Sequence, residues 1–176
     1  MIITAKIETP IGEMQAAAIK EGICLLRFSD SKSTDSELED LTIQFNTFVE
    51  RGNNRHLRNL KKQLKEYFKG NRKEFSVPIV TTGTDFQRAV WNNLLKIPYG
   101  TSVSYLQQAK QINNPGAVRA VAHANGSNRI AIIIPCHRVI GSGGNLTGYG
   151  GGIERKRWLL DHEKRYSGQP VDGILF

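Results

Sequence analysis

The hydrophobic and polar positions change period several times along the chain, and those changes divide it into elements. Residues 3–8 alternate apolar and polar, Pro10-Ile11-Gly12 marks a turn, and residues 14–19 make a second short strand pattern. Lys20-Glu21-Gly22 turns again into the apolar run Ile23-Cys24-Leu25-Leu26-Arg27-Phe28, so the chain opens with a small sheet. After a polar, turn-rich stretch at 29–36, Leu38, Leu41 and Phe45 fall at helical spacing and predict a helix to about Val49. A clearer helix is predicted over 56–69. Leu57, Leu60, Leu64 and Tyr67/Phe68 share one face, and Gly70 stands where a C-cap belongs. Its outer face is mostly lysine and arginine, which reads as solvated surface. Residues 75–79 contain Pro78 and read as an edge strand, and Thr81-Thr82-Gly83 reads as a linker. A domain boundary is therefore expected near residue 83.

The second half has a different rhythm. Thr84-Asp85-Phe86-Gln87 has the capping-box pattern, and a helix is predicted to about Ile97 with Phe86, Val90, Leu94 and Ile97 on its apolar face and Trp91 beside it. Ser104-Tyr105-Leu106-Gln107 repeats the pattern and opens a short helix to about Gln111. Pro115 then stands at the expected first position of a third helix, which runs to Asn125. Two short helices joined by about three residues suggest a helix-turn-helix. Apart from Arg119 and His123, the second of these helices carries small side chains. Such a helix fits either close approach to a duplex, with one arginine as a wedge, or tight packing inside the domain. Residues 129–134 are predicted as a strand that leads to Pro135-Cys136-His137-Arg138. A glycine-rich loop follows from Gly141 to Gly152, and a last helix is predicted over 153–164 with Trp158-Leu159-Leu160 turned inward.

Composition narrows the class. The 176 residues, 39% hydrophobic and 23% charged, suit one sizeable globular domain or two small ones. No apolar stretch approaches the roughly 20 residues of a membrane helix, and the N-terminus lacks the pattern of a signal peptide. No membrane association is expected, and a cytoplasmic location is. Two cysteines, Cys24 and Cys136, are too few for a disulfide framework or a four-cysteine zinc site. Cys24 lies within an apolar run and reads as an inert core residue. The net charge is +8. Residues 1–84 hold 13 basic and 11 acidic side chains, a balance of +2, and residues 85–176 hold 11 and 5, a balance of +6. The half that contains Cys136 therefore carries the positive balance, which suits either a polyanion, nucleic acid above all, or a merely solvated basic surface, and charge alone does not separate the two.

Candidate chemistry centres on Cys136. An apolar run that stops at a proline and continues Cys-His-Arg does not read as core filler. A thiolate is a strong nucleophile, and a neighbouring histidine and arginine favour that charged form. In a regular strand adjacent side chains point to opposite faces, so direct proton transfer between Cys136 and His137 requires a bend at Pro135 or a bridging water. Glu163, on the last helix, is the candidate acid to hold His137. The adjacency of cysteine and histidine argues against a cysteine hydrolase, whose base usually comes from a distant segment. A DNA-binding module without chemistry has no use for the cysteine.

The motif Pro135-Cys136-His137-Arg138-Val139, with Gly148-Tyr149-Gly150-Gly151-Gly152 and Trp158-Leu159-Leu160-Asp161-His162-Glu163, resembles the O6-alkylguanine-DNA alkyltransferases, also called methylated-DNA–protein-cysteine methyltransferases. The likeness extends upstream through Ser104-Tyr105, Arg119-Ala120-Val121 and Asn128 and covers about residues 85 to 165. It implies an α+β fold: residues 1–83 a ribonuclease-H-like α/β domain, residues 84–176 a mainly helical domain with a helix-turn-helix, an active site and a DNA-binding surface. It implies DNA repair by one irreversible transfer of an alkyl group from O6 of a flipped-out guanine, and from O4 of thymine, to Cys136. Further expectations follow from the same resemblance. His137 would act as base through a water, Glu163 would polarise His137, Tyr105 would donate a hydrogen bond to the base, and Asn128 would brace the turn. Arg119 would fill the gap in the duplex, with Ala120 and Tyr105 also at the DNA. Val139, Tyr149, Gly150, Lys156 and Trp91 would make the substrate pocket. Some family members carry a serine where Gly150 stands, which removes a hydroxyl but not a backbone N–H. The expected partner is double-stranded DNA containing O6-alkylguanine, bound from the minor groove by a monomer. No cofactor is expected, and no metal, since Cys24 and His56 do not complete the family's zinc set.

Overall fold

Strands β1 (Ile2–Thr9), β2 (Gly12–Ala18) and β3 (Ile23–Phe28) form where the period-two pattern and its two turns place them. The structure is a computed structural model that describes residues 1–168; residues 169–176, the last part of the expected 84–176 domain, lie outside the described residues. Helix α1 (Thr34–Gln44), strand β4 (Val49–Arg51) and helix α2 (Arg55–Phe68) follow. The sheet order is β3-β2-β1-β4, antiparallel except for the β1–β4 pair, which is parallel. The predicted helix to Val49 is thus shorter: Val49 pairs with Ile2, and β-branched residues favour that extended state. All six residues of β3 are buried. Arg27 is accommodated there because its guanidinium meets the Glu37 carboxylate and the Ser33 hydroxyl. Helix α2 starts at Asn54, whose side chain accepts from Leu57 N at 2.9 Å, and it buries Leu57, Leu60, Leu64 and Tyr67.

Two segments predicted as strands do not become strands. The 75–79 stretch contributes a single bridge, Ile23↔Ile79, with Ile23 N donating to Pro78 O and Val80 N to Ile23 O, both at 2.8 Å. Pro78 has no N–H to extend the ladder. Gly22 permits this approach, since a Cβ there would stand 2.5 Å from Pro78 O. The 129–134 stretch contributes only the bridge Leu26↔Ile130. It then leaves extended geometry at Ile132, whose φ of 70° is a costly conformation for a β-branched residue. Ile133 N donates to Ala131 O at 2.8 Å and closes a three-residue turn around Ile132.

The chain divides into two units. One is Met1–Gly83 with Arg129–Ile133, and the other is Thr84–Asn128 with the chain from Ile134 onward. The expected single boundary at residue 83 therefore omits the excursion of Arg129–Ile133 into the first unit. The second unit is built from helix α3 (Asp85–Leu94), strand β5 (Val103–Ser104), helix α4 (Tyr105–Gln111), helix α5 (Val118–Gly126), strand β6 (Val139–Ile140) and helix α6 (Ile153–Tyr166). Both capping boxes form, Thr84 with Gln87 and Ser104 with Gln107. The parallel pair β5–β6 matches Val103 to Val139 and Ser104 to Ile140, which brings the start of α4 to the segment that follows Cys136. Pro115 is not the first residue of α5. The connection from α4 occupies residues 112–117, and α5 begins at Val118. Gly116 after the proline is a poor helix starter. On α5, Val121, Ala124 and Asn125 are buried, while Arg119, Ala120 and His123 are exposed.

Candidate active site

Cys136 sits at the start of a short 3-10 helix, Cys136–Arg138. Pro135, with φ −83° and ψ 64°, is the centre of a second three-residue turn, closed by Cys136 N donating to Ile134 O at 2.8 Å. This bend replaces the strand expected up to residue 134, and with it the alternation that would have sent Cys136 and His137 to opposite faces. The Asn128 side-chain amide donates to Ile134 O at 2.8 Å and to Cys136 Sγ at 3.3 Å. One side chain thus fixes both the turn and the sulfur. Donation to sulfur favours the thiolate over the thiol. Cys136 is partly exposed, whereas Cys24 is buried and burial pushes its thiol up to about 12. The two cysteines therefore differ as nucleophiles in the direction the sequence suggested.

His137 is fully buried, and its Nε2 lies 2.7 Å from Glu163 Oε1. Glu163 is reached because Lys156, Leu159 and Glu163 recur at helical spacing on the buried face of α6. Of the three tryptophan-leucine-leucine positions, Leu159 is fully buried and Trp158 and Leu160 are half-buried. The carboxylate collects further donors. Arg138 Nε reaches Oε2 at 2.8 Å and Arg138 Nη2 reaches Oε1 at 3.0 Å, a bidentate grip, and Gly100 N donates to Oε2 at 3.2 Å. Gly100 has φ +77°, and a Cβ on it would stand 2.5 Å from Ser167 Cβ, so this donor depends on glycine. Burial alone would raise the Glu163 carboxyl. The charges and hydrogen bonds of His137 and Arg138 outweigh burial and hold it well below the usual carboxylate range. An ionised Glu163 accepts from Nε2–H, which leaves Nδ1 as the ring nitrogen not engaged by the carboxylate. Nδ1 is buried and has no hydrogen-bond partner among the described residues.

Arg138 belongs to the same network. It is buried against Glu163, its Nη1 donates to Ile97 O at 2.6 Å, and the Tyr99 ring lies 5.7 Å from its guanidinium carbon. Its charge serves the carboxylate. The sequence contains Arg138 inside the motif, but nothing in the spacing states which acid it grips.

The glycine-rich loop approaches from the other side. Tyr105 Oη donates to Thr147 O at 3.0 Å, and Lys156 Nζ donates to the same carbonyl at 2.9 Å. Lys156 Nζ also lies 3.5 Å from Tyr105 Oη and 5.7 Å from its ring centre. Burial lowers the Lys156 ammonium below its ordinary value, with the Cys136 charge pulling the other way, and burial raises the Tyr105 hydroxyl. Thr147 was not singled out from the sequence, because a backbone carbonyl leaves no residue-type signal. Val139 is buried directly after the cysteine turn, Tyr149 is half-buried and Gly150 exposed in the loop. Trp91 is buried, and its indole N–H donates to Ala124 O at 2.8 Å, which ties α3 to α5. Arg119 and Ala120 lie on the exposed face of α5, clear of the cysteine turn's hydrogen bonds.

A partly exposed thiol, braced by an amide and followed by a buried His–Glu–Arg network, makes this unit a thiol-nucleophile transferase built on a helix-turn-helix. Comparison with known proteins agrees and is more specific. The 6-O-methylguanine DNA methyltransferase ribonuclease-like domain matches residues 2–81, and the DNA binding domain of the same name matches residues 85–165. A methylated-DNA–protein-cysteine methyltransferase of Methanosarcina acetivorans is 43% identical over 156 residues, 89% of this chain and 94% of its own. That of Mycobacterium tuberculosis is 60% identical over 114 residues, 65% of this chain and 68% of its own. The crystal structure of Mycobacterium tuberculosis OGT in complex with DNA is 44% identical, covers 97% of this chain and 96% of that chain, and superposes with a TM-score of 0.80. The chain belongs to the methylated-DNA–protein-cysteine methyltransferase family, with the two-domain α+β fold of that family.

Proposed function

We propose that this protein is a DNA-repair methyltransferase that removes an alkyl group from O6 of guanine in double-stranded DNA and keeps it on Cys136. The observation that carries the reading is the Asn128–Cys136 contact next to a buried His137–Glu163–Arg138 network. The Cys136 proton leaves through a bridging water to His137 Nδ1, and ionised Glu163 stabilises the imidazolium that forms. Sγ attacks the alkyl carbon, the S–C bond forms as the C–O6 bond breaks, and the electron pair goes to the guanine ring. Tyr105 donates to that ring, so the departing base does not carry full negative charge. Because Tyr105 Oη donates to Thr147 O in the free protein, that hydrogen bond is exchanged when the base enters. Val139, Tyr149, Gly150 and Lys156 surround the base. Displacement at an alkyl carbon needs no oxyanion hole, and a thioether has no cheap route back, so each molecule acts once.

The base reaches the thiol by leaving the stack, which costs a few kcal/mol. Arg119, exposed on α5, fills the vacated position, and Ala120 lets the helix backbone approach the minor groove. We place the protein in the cytoplasm as a monomer, with residues 1–83 a supporting domain and O4-alkylthymine a second substrate. Among the described residues no helix is long and apolar enough to cross a membrane. The test is intact-protein mass spectrometry after incubation with a duplex carrying O6-methylguanine. One methyl per protein, lost in a Cys136→Ser variant, is expected. Methylation elsewhere, or product many-fold in excess of protein, overturns the reading.

A further inference from the structure

The first unit contains an apolar groove that the repair reaction does not use. It encloses about 300 Å³ and is lined by Ile7, Pro10, Leu64 and Phe68, with Lys61, Lys65 and Lys69 along one rim and Glu8 also lining it. The floor is apolar because β1 and α2 both turn their hydrophobic faces to it. The rim is cationic because the exposed face of α2 repeats lysine every four residues. All three lysines are exposed, and in the described residues none has a carboxylate partner. The one acid of α2, Glu66, is already engaged by Arg72 at 2.6 Å. The groove therefore presents apolar surface beside a rim of net positive charge, three lysines against Glu8.

The spacing selects the occupant. Lysines four apart on a helix repeat at about 6 Å and span about 12 Å over the three. A single carboxylate headgroup engages one or two of them. In an extended peptide, alternate residues repeat at about 6.8 Å and point to the same side. Acidic residues at every second position thus match the lysine ladder, while the residues between them face Ile7, Leu64 and Phe68. A single nucleic-acid strand can satisfy the lysines but has nothing for the apolar floor. We propose that this groove docks an extended acidic–apolar alternating segment of a partner protein. Glu8 opposes the acids and keeps the occupant's charged edge on the α2 side.

The probe is fluorescein-labelled Asp-Leu-Asp-Phe-Asp, followed by fluorescence anisotropy with the full-length protein. Saturable binding is expected, about tenfold tighter than for Asp-Ser-Asp-Ser-Asp. Each of Lys61→Glu and Lys65→Glu weakens it about fivefold or more, and Glu8→Lys strengthens it about fivefold. The strengthening cannot come from misfolding. Transfer to Cys136 from free O6-benzylguanine stays unchanged in all three variants, which separates this site from the repair site. Absence of binding, equal binding of the two peptides, or indifference to the three substitutions overturns the proposal. Stronger competition by a short oligothymidylate, or by dodecanoate with the same lysine dependence, overturns it in favour of a nucleic-acid path or a fatty-acid site.

Discussion

Glu163 gathers charge and hydrogen bonds from three neighbours. It is buried, and it accepts from His137, Arg138 and Gly100. Its folded-state pKa is depressed below the ordinary 4.5, so it contributes stability that is present in full above that value. The contribution fades as pH falls from about 4.5 towards the folded value. Glu163→Gln removes it, and the variant should lose about 3 kcal/mol or more at neutral pH, since it leaves the Arg138 charge buried without its partner. Its stability should also depend less on pH below about 4.5 than that of the parent. Urea unfolding at a series of pH values measures both, and a parallel pH profile for the two proteins would contradict the assignment. Arg138 gives a complementary prediction. Arg138→Leu leaves the carboxylate with less compensation, raises its pKa and removes the bidentate grip that holds it in line with His137 Nε2. Transfer from free O6-benzylguanine should slow at least about tenfold, and Arg138→Lys should rescue only part of that, because an ammonium cannot reproduce the bidentate grip. A rate unchanged in Arg138→Leu would remove Arg138 from the site's proton chemistry.

Among the elements, α4 and α5 are joined by a buried reciprocal amide pair. Asn125 Nδ2 donates to Gln108 Oε1 at 2.7 Å, and Gln108 Nε2 donates to Asn125 Oδ1 at 3.2 Å. Gln108 lies one turn from Tyr105, and Asn125 lies in the last turn of the helix that carries Arg119, so the pair sets the two helices against one another. Gln108→Leu strands the Asn125 amide at a cost of about 1–3 kcal/mol, and the double variant Gln108→Leu with Asn125→Leu should recover most of that. Repair of duplex DNA should stay slow in the double variant while reaction with free O6-benzylguanine recovers. Equal recovery on both substrates would make the pair merely structural. The capping boxes of α3 and α4 were legible in the sequence because their signal is local, a hydroxyl and a glutamine three residues apart. The 129–134 segment was not. Its residues are β-formers, but Ile132 is held at positive φ, a state that local propensity argues against and the surrounding structure enforces. The pairing of Arg138 with Glu163 spans 25 positions and has no periodic signature.

Over the whole molecule, the charge balance separates two kinds of substrate that the thiol itself cannot tell apart. The second half of the sequence carries +6 of the net +8, and Arg119 is exposed there with no acidic partner among the described residues. A duplex must shed counterions to bind such a surface, and each phosphate neutralised contributes about −0.9 to the slope of log affinity against log salt. A free base carries no phosphate and sheds none. The second-order rate of repair on duplex O6-methylguanine should therefore fall steeply as salt rises from low to moderate ionic strength. The rate with free O6-benzylguanine should stay nearly level, because the Glu163–Arg138 ion pair behind the thiol is buried and weakly screened. Arg119→Ala should lower the duplex rate at every salt concentration, with a slope reduced by about one unit if the guanidinium neutralises a phosphate and unchanged if it stacks into the vacated base position. Stopped-flow measurements of both substrates across a salt series separate these cases. A free-base rate that falls in step with the duplex rate would show that salt acts on the chemistry of Cys136 and not on encounter with DNA.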